Sequence, residues 1–130
     1  MKAEDLMIGD WVNYQSEQQE VDFRVTEITE KYVKSDFCCD EFFYNEITPI
    51  TLTDKILEKN GFGYKEEDDN LTHYYLGDRW YLSNPDLHIG TYNKGVYWLN
   101  HWDNAIYGIK YVHELQHALR LTGVEKEIEL

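Results

Sequence analysis

The segment His113-Glu114-Leu115-Gln116-His117 reads H-E-L-Q-H. In that pattern two histidines four residues apart on a helix converge on one zinc ion, and the glutamate between them acts as general base on the metal-bound water. The chemistry on offer is zinc-dependent peptide hydrolysis by His113, His117 and Glu114. Chance alone supplies about 0.02 such matches in a chain of this composition, and the surrounding residues oppose the reading. Catalytic zinc needs a third protein ligand, yet only thirteen residues follow His117, and Arg120 stands where the longer HExxHxxGxxH pattern has glycine. The remaining carboxylates downstream, Glu125, Glu127 and Glu129, lie beyond Gly123. On a helical wheel drawn from Ile109, the apolar stripe is Tyr111, Val112, Leu115, Ala118 and Leu119, and His113 and His117 fall opposite it. Lys110 and Arg120 share that opposite face, so a dication there would sit between two cations. The expectation is a basic, solvent-facing stripe on an amphipathic helix, with no metal and no other cofactor held.

Cys38 and Cys39 are the only cysteines, and they are adjacent. A disulfide between neighbours closes a strained eight-membered ring and staples nothing, so both are expected as reduced thiols in a cytoplasmic protein. They lack the CxxC spacing and a nearby histidine that a redox or metal pair would want. The sequence also contains no phosphate-binding glycine loop and no GxSxG elbow.

Elements of two kinds must position these residues. Residues 5–50 read as four or five short strands: Trp11, Val12 and Tyr14 follow a Gly9-Asp10 turn, Val21, Phe23, Val25 and Ile28 are spaced mostly by two, then come Tyr32-Val33 and Phe42-Phe43-Tyr44, and Pro49 closes the set. The spacing resembles small five-stranded SH3-like barrels, in which a Gly-Asp turn leads into the first long strand. A short helix follows, with Thr53 as N-cap, Asp54 in its first turn and Asn60-Gly61 as its stop. Lys65 to Asn70, KEEDDN, reads as a solvated hairpin loop. Strands are expected at 72–76, 79–83, 87–92 and 96–100, with turns at Gly77-Asp78 and Asn93-Lys94-Gly95. A helix from Ile109 to about Thr122, stopped by Gly123, and a short strand near Ile128 end the chain. The expected class is α+β: an SH3-like barrel subdomain over 1–50, and a subdomain of helix, antiparallel meander and C-terminal helix over 51–130. At roughly 50 and 80 residues each part alone would be marginal, so the two are expected to pack as one unit.

Composition bounds the rest. The 130 residues are 42% apolar and 15% aromatic, which excludes disorder, collagen and coiled coil. Twelve basic against 25 acidic residues give a net charge of −13, a field that repels phosphate backbones, so direct nucleic-acid binding is not expected. The N-terminus has no apolar run of signal-peptide length, and no membrane-spanning stretch is expected.

Three segments together carry a family resemblance: L-M-I-G-D-W-V over 6–12, E-I-T-P-I-T-L-T-D-K-I-L-E-K-N-G-F over 46–62, and I-K-Y-V-H-E-L-Q-H-A-L-R-L-T-G-V-E from Ile109 to Glu125. They resemble a family of small uncharacterised bacterial proteins that run from L-x-I-G-N-x-V, through I-x-P-I-x-L-T and a helix ending in G-F, to a closing Y-V-H-x-L-Q-N helix. The resemblance implies an origin in gut bacteria and their phages and mobile elements. It also implies that Tyr111, Val112, His113, Leu115 and Gln116 are the shared residues, and that HExxH is an accident, because the place of His117 is usually Asn and that of Glu114 often Gln. His113 and Gln116 then stand as shared polar positions that a helix-to-sheet hydrogen bond explains as cheaply as a binding site does.

The leading expectation for function is a non-enzymatic binding module that engages another protein. Four Trp and eleven Tyr exceed what the core must hold, and both types are enriched at contact surfaces. Trp80, Trp98, Trp102, Tyr81 and Tyr97 form the candidate aromatic surface, the alternative being that alternate rings fill the core of a twisted sheet. The alternatives are the zinc metallopeptidase and an acidic nucleic-acid mimic of phage type, which would need carboxylates clustered at phosphate-like spacing.

Overall fold

The computed structural model describes the chain apart from residues 63, 69–70, 76–86, 94–95 and 102–103; at 64–68, 71–75, 87–93, 96, 98–101 and 104–107 it describes the backbone alone. The class is α+β. The chain divides into two compact units, Met1–Thr51 with Tyr111–His117, and Leu52–Lys110 with Ala118–Leu130.

The first unit is a curled, antiparallel five-stranded half-barrel. After a 3-10 turn at Ala3–Asp5 come β1 (Trp11–Gln15), β2 (Glu20–Ile28), β3 (Tyr32–Ser35), β4 (Glu41–Phe43) and β5 (Ile47–Pro49), in the spatial order β4-β3-β2-β1-β5. Alternate residues face opposite sides of a strand. The inward set is Val12, Phe23, Val25, Val33, Phe42 and Ile47, and with Leu6 it forms one buried cluster. Phe23 stacks on Phe42 at 4.6 Å between ring centroids, and Tyr14 tilts onto Phe42 at 5.0 Å. A register shift between Val25 and Glu27 interrupts the β2–β3 ladder, and an extra residue of this kind bends and twists its strand, which supplies curl. Both edge strands are three residues long. Phe43 has its N–H on the Glu46 carboxylate and its carbonyl on the Glu46 N–H, both at 2.9 Å, and Pro49 has no donor, so neither edge is suited to accept a foreign strand.

The second unit contains α1 (Asp54–Lys59) and a sequential meander of β6 (Tyr64–Asp68), β7 (Leu71–Tyr75), β8 (Leu87–Asn93), β9 (Val96–His101) and β10 (Asn104–Ile109). The last helix, α2 (Val112–Leu121), contributes residues to both units. Thr53 caps α1 as its position suggests, its hydroxyl accepting from the Ile56 N–H. Thr53→Ala is expected to lower stability by about 1 kcal/mol, read as a drop in the thermal midpoint.

Several elements depart from the sequence expectation. Lys65 to Asp68 is strand, its backbone paired with β7 from Asp68↔Leu71 to Tyr64↔Tyr75. The acidic composition that suggested a loop suits an edge strand, where charge opposes association, and β6 is the edge of its sheet. β10 escaped notice because Asn, Ala and Gly are poor strand formers; here the ladder with β9 overrides propensity. That strand runs through Ile109, so α2 starts at Val112. No strand forms near Ile128. The fully buried Ile128 lies in an irregular tail clasped by Asn60, whose amide donates to the Glu129 carbonyl at 2.6 Å and accepts from the Glu129 N–H at 2.7 Å. The expected strand at 79–83 and the turn at Gly77-Asp78 lie outside the described residues, as do 94–95 of the turn after β8. Among the described residues no helix is long and apolar enough to cross a membrane.

Candidate functional site

The start of α2 lies in the first unit, where two of the three residues of the H-E-L-Q-H signature, Glu114 and His117, make hydrogen bonds. Its entry is pinned to the chain after β5: the Val112 N–H donates to the Ile50 carbonyl at 2.9 Å, and Thr51 bridges Tyr111. Tyr111 is the N-cap, its carbonyl accepting from the Leu115 N–H. Glu114, at the third helical position, folds back to accept from the Tyr111 N–H at 3.0 Å. That is half of a capping box, and a carboxylate there also suits the positive end of the helix. The geometry gives Glu114 the task of closing a helix end.

His117 points at the Gly9-Asp10 turn. Its Nε2 lies 2.6 Å from Asp10 Oδ2, and Asp10 is fully buried. A carboxylate oxygen is an acceptor, so the tautomer that satisfies this contact is the one with the proton on Nε2, which occupies that nitrogen. The same Oδ2 accepts from the Met7 N–H at 2.7 Å, while the Asp10 N–H returns to the Met7 carbonyl at 3.2 Å. Gly9 adopts φ of 91°, which a side chain would resist, and donates to the Val25 carbonyl at 2.7 Å. Gln116, also buried, spans the same turn: its Oε1 accepts from the Trp11 N–H at 3.0 Å and its Nε2 donates to the Gly9 carbonyl at 2.9 Å. Donor facing acceptor at both ends fixes the orientation of the amide.

His113 is 6% exposed, with Tyr111 stacked on its ring at 5.9 Å and the edge of His117 at 5.7 Å. Its Nδ1 is buried without a hydrogen-bond partner among the described residues. Burial pushes the imidazole pKa below the ordinary histidine value; Asp10, Glu114 and Asp5 pull it up, and His117 pushes it further down.

The expectation of a solvent-facing basic stripe is therefore corrected for both histidines. Lys110 and Arg120 are exposed, but His113 is buried and the His117 side chain is 14% exposed. A wheel with one apolar stripe assumes that a helix packs on one side. Here the turn at residues 7–10 and the first residue of β1 cover the polar side of the first two turns and meet it with hydrogen bonds. The reading of Gln116 as a helix-to-sheet hydrogen bond agrees with its contact to β1. Among the described residues no three His, Cys, Asp or Glu side chains are grouped to hold a metal ion.

The candidate aromatic surface is only partly within reach of description. Trp80, Tyr81 and Trp102 lie outside the described residues, and Trp98 is placed by its backbone on β9. Tyr97 does not belong to an exposed face: it is buried, and its hydroxyl donates to Asp54 at 2.6 Å, so its ring serves the fold. Cys38 and Cys39 are free; Cys38 Sγ sits 3.2 Å from the Ser35 hydroxyl, and Cys39 is exposed.

The sequence reading missed the Met7–Asp10 turn as a surface. Met7 and Ile8 are 41% and 65% exposed on a turn secured from beneath by Asp10, Gln116 and Val25. The available signal was the apolar pair ahead of Gly-Asp, a place where a hairpin entry would ordinarily carry polar residues. Compared with protein-family models, curated proteins and solved structures, the chain matches none of them.

Proposed function

We propose that this chain is a non-enzymatic module that binds another protein, with the Met7–Ile8 turn as a contact point. The observation that carries the reading is the pairing of exposure with rigidity: two adjacent apolar side chains in water, on a turn whose backbone is held by buried groups of a helix more than 100 residues away in sequence. Such a turn loses little conformational entropy when it docks, and preorganised apolar anchors are what interfaces favour. The exposed Glu4 and Asp5 just before it, together with the net charge of −13, select a partner with an apolar pocket rimmed by Lys and Arg. The commitment of Glu114 and His117 to internal contacts supports binding over hydrolysis.

Two finer readings accompany this one. The strand order β4-β3-β2-β1-β5, with β1 between β2 and the last strand, supports an SH3-like assignment for the half-barrel. The resemblance to the small bacterial proteins of gut bacteria and their mobile elements supports a structural part for Tyr111, Val112, His113, Leu115 and Gln116.

The test is capture from an extract of the source cells on immobilised wild-type protein and on Ile8→Asp. Ile8 is exposed, so the variant should keep its stability within about 0.5 kcal/mol. A protein retained by the wild type, released by high salt and retained at least about tenfold less by Ile8→Asp is the expected result. Equal retention on both surfaces overturns the reading.

A further inference from the structure

The group with no evident task in this unit is His113. It is a buried imidazole whose Nδ1 lacks a partner among the described residues, in the helical turn that also carries Gln116 and His117 to the Met7–Asp10 turn. A buried nitrogen left unpaired costs stability that an apolar residue of similar size would not. We propose that His113 is an acid-sensitive latch: taking a proton from solvent frees the start of α2 from the turn at residues 7–10 and unlocks the presentation of Met7 and Ile8. The proposal rests on the binding reading above and names the regulation of that same surface.

The groups that face His113 decide the direction. Asp10 approaches from the turn, Glu114 and His117 from its own helix, and Asp5 from the 3-10 turn. The ring of Tyr111 covers one face. All three carboxylates are already committed, Asp10 to Met7 and His117, Glu114 to the helix N-cap, and Asp5 to the Lys2 N–H. His113 also occupies the first turn of α2, where the helix end is positive and disfavours a cation. A proton on His113 would place a charge in a buried position against the His117 ring, over a single buried carboxylate. The relief is for His113 to reach water, and Gln116 and His117 must move with the turn of helix that holds all three.

Burial lowers the His113 pKa from 6.5 in the closed state, whereas in an open state the ring returns to its ordinary value. The open state therefore binds more protons between the two values, and closing is favoured above about pH 6.5 and weakened as pH falls through the closed-state value. The Trp11 N–H reports this directly, because its acceptor is Gln116 Oε1. Hydrogen exchange of the intact chain from pH 8 to 5, corrected for intrinsic rates, should show Trp11 protection falling below pH 6.5 by at most about tenfold per unit, while Phe42 in the β3–β4 pair keeps its protection. His113→Gln should abolish the pH dependence at Trp11. Should that variant fold poorly, the wild-type His113 ring, followed by NMR in the same samples, should titrate below 6.5. Unchanged Trp11 protection down to pH 5, a parallel loss at Phe42, the same pH dependence in His113→Gln, or a His113 ring titrating at or above 6.5 would each overturn the latch. None of these readouts involves a partner, so an absent partner would defeat the binding reading and leave the latch standing.

Discussion

Asp10→Ala is expected to cost the fold about 3–5 kcal/mol, from two hydrogen-bonding groups left unpaired at about 1–3 kcal/mol each. Asp10 is fully buried, and one of its oxygens holds both the Met7 N–H and His117 Nε2. Alanine strands both donors, and leaving a buried polar group unpaired is more expensive than never having buried it. The measurement is urea unfolding at pH 7, where the midpoint should fall with the slope unchanged. Asp10→Asn separates charge from shape: its amide oxygen can stand in for Oδ2 and accept from both donors without the charge, so an intermediate loss is expected. A loss below 1 kcal/mol for Asp10→Ala would show that the turn stands without its carboxylate, and the preorganised contact point would lose its basis.

Phe23→Ala should cost a similar amount, about 3–5 kcal/mol, for a different reason. Phe23 is 1% exposed and is the central ring of the half-barrel, stacked on Phe42 and tilted against Phe37 at 6.2 Å. Removing the ring loses its transfer free energy and leaves a cavity between strands whose backbone ladders resist collapse. Phe23→Leu refills most of the volume and should recover much of the loss in the same urea measurement. Recovery by Leu at Phe23, set against the partial recovery by Asn at Asp10, distinguishes a volume requirement from a hydrogen-bonding one.

The two predictions match in size and differ in how far the sequence announces them. Phe23 sits in V-D-F-R-V, where alternation alone marks it as inward, and the structure places it with Val12, Val25 and Val33 in the core. Thr53 and Gly123 are similar: a hydroxyl ahead of Asp54 reads as an N-cap, and Gly123 at φ of 74° ends α2 because a left-handed residue is needed there. These signals are local. Strand alternation, caps and stops are written within a few residues of the position they govern. Where the local signal was weak, as in N-A-I-Y-G-I or the acidic β6, cross-strand pairing decided, and a paired strand is a property of two segments at once.

Asp10, Gln116, His113 and His117 belong to that second kind. The sequence by itself determined that residues 112–119 carry an apolar helical stripe, that a Gly-Asp turn opens the strands, and that H-E-L-Q-H has no third ligand at the usual spacing. It could not state that a turn near residue 10 and a helix near residue 115 meet, because a hydrogen bond across some 105 positions leaves no periodicity to read. Only the tertiary structure decided that the polar side of the first turns of α2 is covered, and with it that Glu114 closes a helix end, His117 holds a turn and His113 Nδ1 is buried without a partner among the described residues. The physical reason is that burial belongs to the assembled surface. An imidazole four residues from another is a metal ligand, a solvated cation or a buried hydrogen-bonding group according to what packs over it, and that covering segment is supplied by a part of the chain the local pattern never mentions.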